Sequence, residues 1–213
     1  MKRENLERVY QRLYEAYGPQ YWWPGESPFE VMVGAVLTQN TAWSNVEKAI
    51  DNLKAANCLE LAKIVKVTDR KLAELIRPSG YFNIKTKRLK NLCQWLEQQG
   101  GFTAVAKIET NELRQSLLRV KGIGPETADD ILLYAFERSV FVVDAYTRRL
   151  FSKLGLINGD ENYETLRCKI EAELSPDVSL HNEYHALIVR HAKEKCEQLS
   201  KCRHCRVEAP IAI

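Results

Sequence analysis

The stretch from Val120 to Arg148 concentrates residue types that could handle a phosphodiester and a labile bond beside it. It reads Val-Lys-Gly-Ile-Gly-Pro-Glu-Thr-Ala-Asp, passes through an apolar helical pattern, and closes on Phe-Val-Val-Asp-Ala-Tyr-Thr-Arg-Arg. Gly122 and Gly124 bracket one apolar residue, and Pro125 stands where a first helical residue is expected, which describes a tight hairpin whose following helix begins with unsatisfied backbone N–H groups. Such a helix start attracts phosphate. Asp144 follows the apolar run Phe141-Val142-Val143 in the position of an N-cap for a helix carrying Arg148 and Arg149. A phosphate cradle and a partly buried acid in one segment suggest chemistry on a nucleic-acid backbone or base. Taken apart, Gly-x-Gly also reads as a plain helix–helix turn, and an aspartate at a helix start as a plain cap.

Four further clusters carry chemical potential. Tyr21-Trp22-Trp23-Pro24 sets two indoles and a proline in a loop, where they either fill a gap between packed elements or offer flat faces to a ligand. Leu37-Thr38-Gln39-Asn40-Thr41-Ala42-Trp43 crosses a helix–helix junction, and Trp43 reads equally as a core aromatic or a stacking surface. The run Arg77-Pro78-Ser79-Gly80-Tyr81-Phe82-Asn83-Ile84-Lys85-Thr86-Lys87-Arg88 is basic, with a solvated helix face as its ordinary explanation. Near the end, Cys196, Cys202 and Cys205 are spaced closely enough to hold a metal. Cys58, Cys93 and Cys168 fall in helical patterns and read as core residues.

The elements that must position these groups are helices. Leu6, Val9, Tyr10, Leu13 and Tyr17 recur at helical steps until Gly18-Pro19 ends the pattern. Similar periodicity predicts helices near 28–38, 42–56, 69–76, 84–99, 109–119, 125–136, 145–154, 162–174 and 179–193, and no segment sustains strand alternation. Turn signals at Pro24-Gly25, Pro78-Ser79-Gly80, Gly100-Gly101, Asn158-Gly159-Asp160 and Ser175-Pro176-Asp177 keep the connections short. The expectation is an all-α chain.

With 213 residues, 45% hydrophobic and 28% charged, the composition is that of an ordinary globular protein. A net charge of +3 permits nucleic-acid binding without demanding it. No apolar stretch approaches the length of a membrane span, and Met1-Lys2-Arg3-Glu4-Asn5-Leu6-Glu7 lacks a signal-peptide core. A cytoplasmic location with reduced thiols and no membrane partner is therefore expected.

Together, the paired helices around Gly-Ile-Gly-Pro and the following Val-Val-Asp resemble the helix-hairpin-helix plus Gly/Pro-Asp signature of the endonuclease III superfamily of DNA glycosylases, over about Tyr21 to Cys205. Trp-Trp-Pro followed by Leu-Thr-Gln-Asn-Thr and an aromatic resembles the branch of 3-methyladenine DNA glycosylase III. The resemblance implies two helical domains with the active site in the cleft between them: a continuous six-helix domain over 25–136, and a second over 1–24 and 137–213 with a Cys-rich tail. It implies a partner, double-stranded DNA containing a damaged base, attacked by a monomeric enzyme.

The same resemblance assigns roles. Asp144 becomes the catalytic carboxylate. Trp22, Trp23, Pro24 and Trp43 become the base pocket, consistent with the attraction of indole faces for a cationic alkylated purine. Gln39 matches a residue that enters the DNA stack. Lys121, Gly122, Gly124 and Thr127 of the hairpin, and Lys85 and Lys87 of a Gly-aromatic-Asn-x-Lys turn, contact DNA. Bifunctional relatives place a lysine two residues after the second hairpin glycine; here Glu126 stands there, which implies base removal by water without Schiff-base lyase chemistry. Iron–sulfur relatives carry four cysteines, whereas this tail offers Cys196, Cys202 and Cys205 and then no other, so a [4Fe-4S] cluster would need another ligand and a vestigial site is an equal reading. The implied activity is monofunctional excision of an alkylated purine such as 3-methyladenine, leaving an abasic site. The alternatives are an endonuclease III-like glycosylase/AP lyase for another lesion, and a non-catalytic helix-hairpin-helix DNA-binding protein.

Overall fold

A computed structural model describes residues 1–22 and 25–194. Among these residues the chain forms twelve α-helices and no strand. They are α1 Arg3–Tyr17, α2 Pro28–Leu37, α3 Trp43–Ala55, α4 Leu61–Lys66, α5 Asp69–Leu75, α6 Phe82–Gln98, α7 Phe102–Val105, α8 Thr110–Leu118, α9 Pro125–Asp130, α10 Ala145–Lys153, α11 Tyr163–Glu173 and α12 Val178–Glu194, with a short 3₁₀ turn at Arg77–Ser79. Periodicity gave no warning of α4 and α7. At six and four residues they are too short for an apolar face to recur. Contacts divide the chain into two units: residues 1–22 with 138–194, and residues 25–137.

Within residues 25–137, α2 is the central helix. Ser27 caps it by accepting the Glu30 amide at 3.2 Å, Pro28 presets its first turn, and every residue from Glu30 to Leu37 is buried. A helix apolar on all sides must be surrounded, and α3, α6, α9 and the turn after α9 pack against it. The helix begun by Pro125 continues through Ile131–Ala135 with wider pairing, the Phe136 amide reaching Ile131 O at 3.2 Å. All five residues of this wider turn are buried, so the strongly apolar Ile-Leu-Leu-Tyr-Ala run has no solvent-facing side. Asp129 of α9 is fully buried and paired with Arg114 of α8 through two bonds of 2.6 and 3.0 Å, which fixes the two hairpin helices against each other.

In the other unit, the core gathers Leu6, Val9 and Leu13 of α1, Leu150 and Phe151 of α10, Leu166 and Ile170 of α11, and Tyr184, Leu187 and Ile188 of α12. Phe141 and Val143 plug into it from the extended segment before α10. The Tyr184 hydroxyl, buried with its ring, donates to Leu6 O at 2.9 Å and so avoids an orphaned polar group. Cys58 and Cys93 are buried as expected, and burial pushes the Cys93 thiol up to about 12. Cys168 departs from expectation: α11 turns it to solvent while Leu166 and Ile170 face the core.

Candidate active site

Asp144 receives its position from both sides in sequence. Upstream, Phe141, Val142 and Val143 are buried, and the Phe141 amide is held by Glu171 Oε1 at 2.8 Å. Downstream, Asp144 is the N-cap of α10, its Oδ1 accepting the Thr147 amide at 2.7 Å. The second oxygen, Oδ2, lies 3.5 Å from His185 Nε2 of α12, with side-chain exposures of 13% for the acid and 5% for the imidazole. The carboxyl is thus recessed but still reachable. Burial pushes its pKa up, while the His185 contact and charge and the Thr147 amide pull it down; the net is below the ordinary 3.8. Asp144 is accordingly an anion at neutral pH, a weak base and a good electrostatic partner for a developing cation. Trp22 stands on the same imidazole, with ring centroids 5.9 Å apart and planes tilted by 41°.

A second cluster surrounds the hairpin. Gly122 has φ +102°, and an added Cβ would stand 2.3 Å from Arg88 Cγ, so the Arg88 side chain crosses where any other residue would put its own. Arg88 Nη1 donates to Gln39 Oε1 at 2.5 Å, and Gln39 Nε2 donates to Gly122 O at 3.2 Å and Thr127 Oγ1 at 2.9 Å. Gln39 is therefore docked onto the hairpin through both ends of its amide. Ile123 is buried and anchors the loop, whereas Lys121 and Gly124 are exposed. Asn91 Nδ2 holds Lys121 O at 2.9 Å. Thr127 is buried on its side-chain face; what it and Glu126 can offer an anion is the first turn of α9, where backbone amides have no intrahelical acceptor.

Other expected site residues behave differently. Lys85 is 1% exposed and donates to Leu37 O at 2.8 Å and Ser79 O at 2.6 Å. Burial, then the neighbouring Arg88 charge, lower it to about 8. The reading of Lys85 as a phosphate contact is corrected: one helical step turns it into the interior, where it ties the end of α2 to the turn before α6. Lys87, two residues on, is exposed and stays a candidate. Trp43 opens α3, is partly exposed, packs toward Gly34 of α2 and walls a cavity of about 270 Å³ with Gly25, Glu26, Glu30 and Glu47. Trp23, Pro24, Cys196, Cys202 and Cys205 lie outside the described residues. No group of three or more potential metal ligands occurs among the described residues.

Two side chains that touch these candidate residues leave little signal in the sequence. His185 leaves only a faint trace, a second histidine four residues after His181 in a helix of mixed apolar, polar and charged residues. Arg88 was hidden inside a basic run that reads as a solvated face.

Residues 33–176 match the profile of the HhH-GPD superfamily of base excision DNA repair proteins. A provisionally assigned DNA repair glycosylase of Methanocaldococcus jannaschii is 48% identical over 210 residues, covering 97% of this chain and 96% of that protein. The crystal structure of Helicobacter pylori 3-methyladenine DNA glycosylase bound to 1,N6-ethenoadenine superposes with a TM-score of 0.78 at 34% identity, over 92% of this chain and 99% of the other. An endonuclease III trapped covalently on DNA shares the fold, with a TM-score of 0.79 at 17% identity over 95% and 93% of the two chains.

Proposed function

The chain belongs to the HhH-GPD superfamily of base excision DNA repair proteins, and from that premise we propose a substrate and a reaction: hydrolysis of the N-glycosidic bond of an alkylated purine such as 3-methyladenine in double-stranded DNA, leaving an abasic site and an unbroken strand. The observation that carries this reading is Asp144, a recessed and ionised carboxylate capping α10, with the Trp22 indole resting on the histidine beside it. The 3-methyladenine glycosylase at 34% identity supports the choice of lesion.

N3-alkylated adenine carries positive charge in the nucleoside. As the C1′–N bond breaks, its electron pair leaves with the base, which departs neutral and needs little acid assistance. The positive charge passes to the sugar, and the Asp144 carboxylate stabilises it there and orients the water that adds to C1′, taking up a proton from it. An electron-rich indole face such as that of Trp22 favours a cationic purine over ordinary bases. The hairpin at Gly122 and Gly124, with Lys121 and the first turn of α9, grips phosphates without reading sequence. Gln39 leaves its bonds to Gly122 and Thr127 to occupy the space of the extruded nucleotide. Glu126 supports water rather than an amine as the nucleophile, because a carboxylate forms no imine with the sugar.

The deciding experiment is a lesion panel: methylated DNA, oxidised pyrimidines and mismatched thymine, each scored for released base and for strand cleavage. Release of 3-methyladenine with intact strands is expected. Excision of oxidised pyrimidines or thymine instead overturns the specificity, and an adduct trapped by borohydride overturns the monofunctional reaction.

A further inference from the structure

A buried imidazole needs a partner, and an apolar side chain would fill the middle of α12 without that demand. His185 is 4% exposed, and its Nε2 faces the very oxygen of Asp144 that the α10 amides leave alone. On the Trp22 side, its ring carries the indole at 5.9 Å. One imidazole thus touches both an acid at the start of α10 and an aromatic in the loop after α1.

We propose that His185 is a positioning residue for base excision, donating from Nε2 to Asp144 Oδ2 so that the carboxylate is held by both oxygens and in register with the Trp22 ring. The proposal rests on the role given to Asp144 above. A carboxylate anchored through Oδ1 alone can still turn about its Cβ–Cγ bond, which is a broad and soft torsion. A second donor removes that freedom, so the negative charge already stands where the sugar cation forms and need not reorganise during the reaction. At 3.5 Å the two groups stand at ion-pair distance and just short of a closed hydrogen bond, as groups that act together in catalysis commonly do before substrate binds.

The surroundings suit this role. On α12, His181 is engaged with Ser139 Oγ at 3.4 Å, and Glu183 is occupied by the Gln20 amide at 2.6 Å. On α10, Arg148 is turned to Glu161 O at 2.7 Å. None of these charged or titratable groups is bonded to Asp144 among the described residues, and the contact that pulls its carboxyl down most is His185.

The test compares His185→Leu, which keeps bulk without a donor, with His185→Gln, which keeps a donor, and uses Asp144→Asn as the inactive control. Three quantities are read: the single-turnover excision rate on 3-methyladenine DNA, the Kd for that DNA, and the Asp144 carboxyl titration followed by 13C NMR in the free protein. His185→Leu is expected to lose roughly 10- to 100-fold in rate, as partners that orient a reacting group commonly do, with Kd unchanged within about two-fold. His185→Gln should recover most of the rate. The Asp144 midpoint should rise in the leucine variant. Equal losses in both variants with matching losses of thermal stability would reduce His185 to a packing role and overturn the proposal. If the wild-type protein releases no alkylated purine, it is the proposed substrate that fails; the titration still decides, and an unchanged Asp144 midpoint in His185→Leu overturns the contact itself.

Discussion

Asp144 does two jobs with one carboxylate, capping α10 and carrying negative charge, and the two can be separated by Asp144→Asn. Asparagine caps a helix about as well as aspartate, so the chain should still fold and lose only the stability that the charge itself contributes. We expect the variant to bind lesion DNA normally and to excise about 10²- to 10⁴-fold more slowly, measured under single-turnover conditions. The pH dependence follows from the direction of the shift. Because the folded protein holds this carboxyl below its ordinary 3.8, Asp144 contributes stability that is complete above the ordinary range and is lost as pH falls through the folded value. The acid limb of the wild-type excision profile attributable to Asp144 should therefore lie below 3.8, and a limb above it would show that the His185 and Thr147 contacts do not hold in solution. The cap itself is legible in sequence, since it needs only Asp144 and the amide three residues on. His185 is not, because nothing local distinguishes a histidine facing an acid from one facing a carbonyl.

At the scale of elements, the hairpin and its two helices are locked together by buried contacts. Gly122 is required twice over, by a φ of +102° and by the Arg88 side chain lying across its face. Gly122→Ala should cost about 1–3 kcal/mol from the backbone conformation alone, more once Arg88 is displaced, and should weaken DNA binding as the hairpin backbone shifts. Thermal denaturation and a titration with lesion DNA read both effects. Arg114 and Asp129 hold the helices on either side of this turn through a buried, two-bond ion pair. Removing one partner strands the other charge in the interior, so Arg114→Met should destabilise by about 3–5 kcal/mol in chemical denaturation, far beyond what loss of an exposed pair would cost. Wild-type stability in that variant would mean the pair is solvated. The glycine pattern announced the turn; the reason one glycine is irreplaceable lies in an arginine on α6, which sequence spacing could not bring near.

For the molecule as a whole, a net charge of +3 is modest, so DNA affinity must come from where the cations sit. Phosphate contacts make log K fall with log salt by about 0.9 per phosphate, and Lys121→Ala should weaken binding evenly across DNA sequences and reduce that slope by about one. An unchanged slope would remove Lys121 from the interface. The sequence by itself determined what depends on near neighbours: the all-helical architecture, the glycine hairpin with Pro125 at its exit, and the acid at the cap of α10. Helical periodicity, left-handed backbone and capping are all settled within a few residues. Tertiary structure alone decided which way side chains of ambiguous type would turn. It buried Lys85 under α2, laid Arg88 across Gly122, docked Gln39 on Thr127 and set His185 against Asp144. Each of these joins elements far apart in the chain, and whether a polar side chain meets water or a partner depends on the packing of both elements at once.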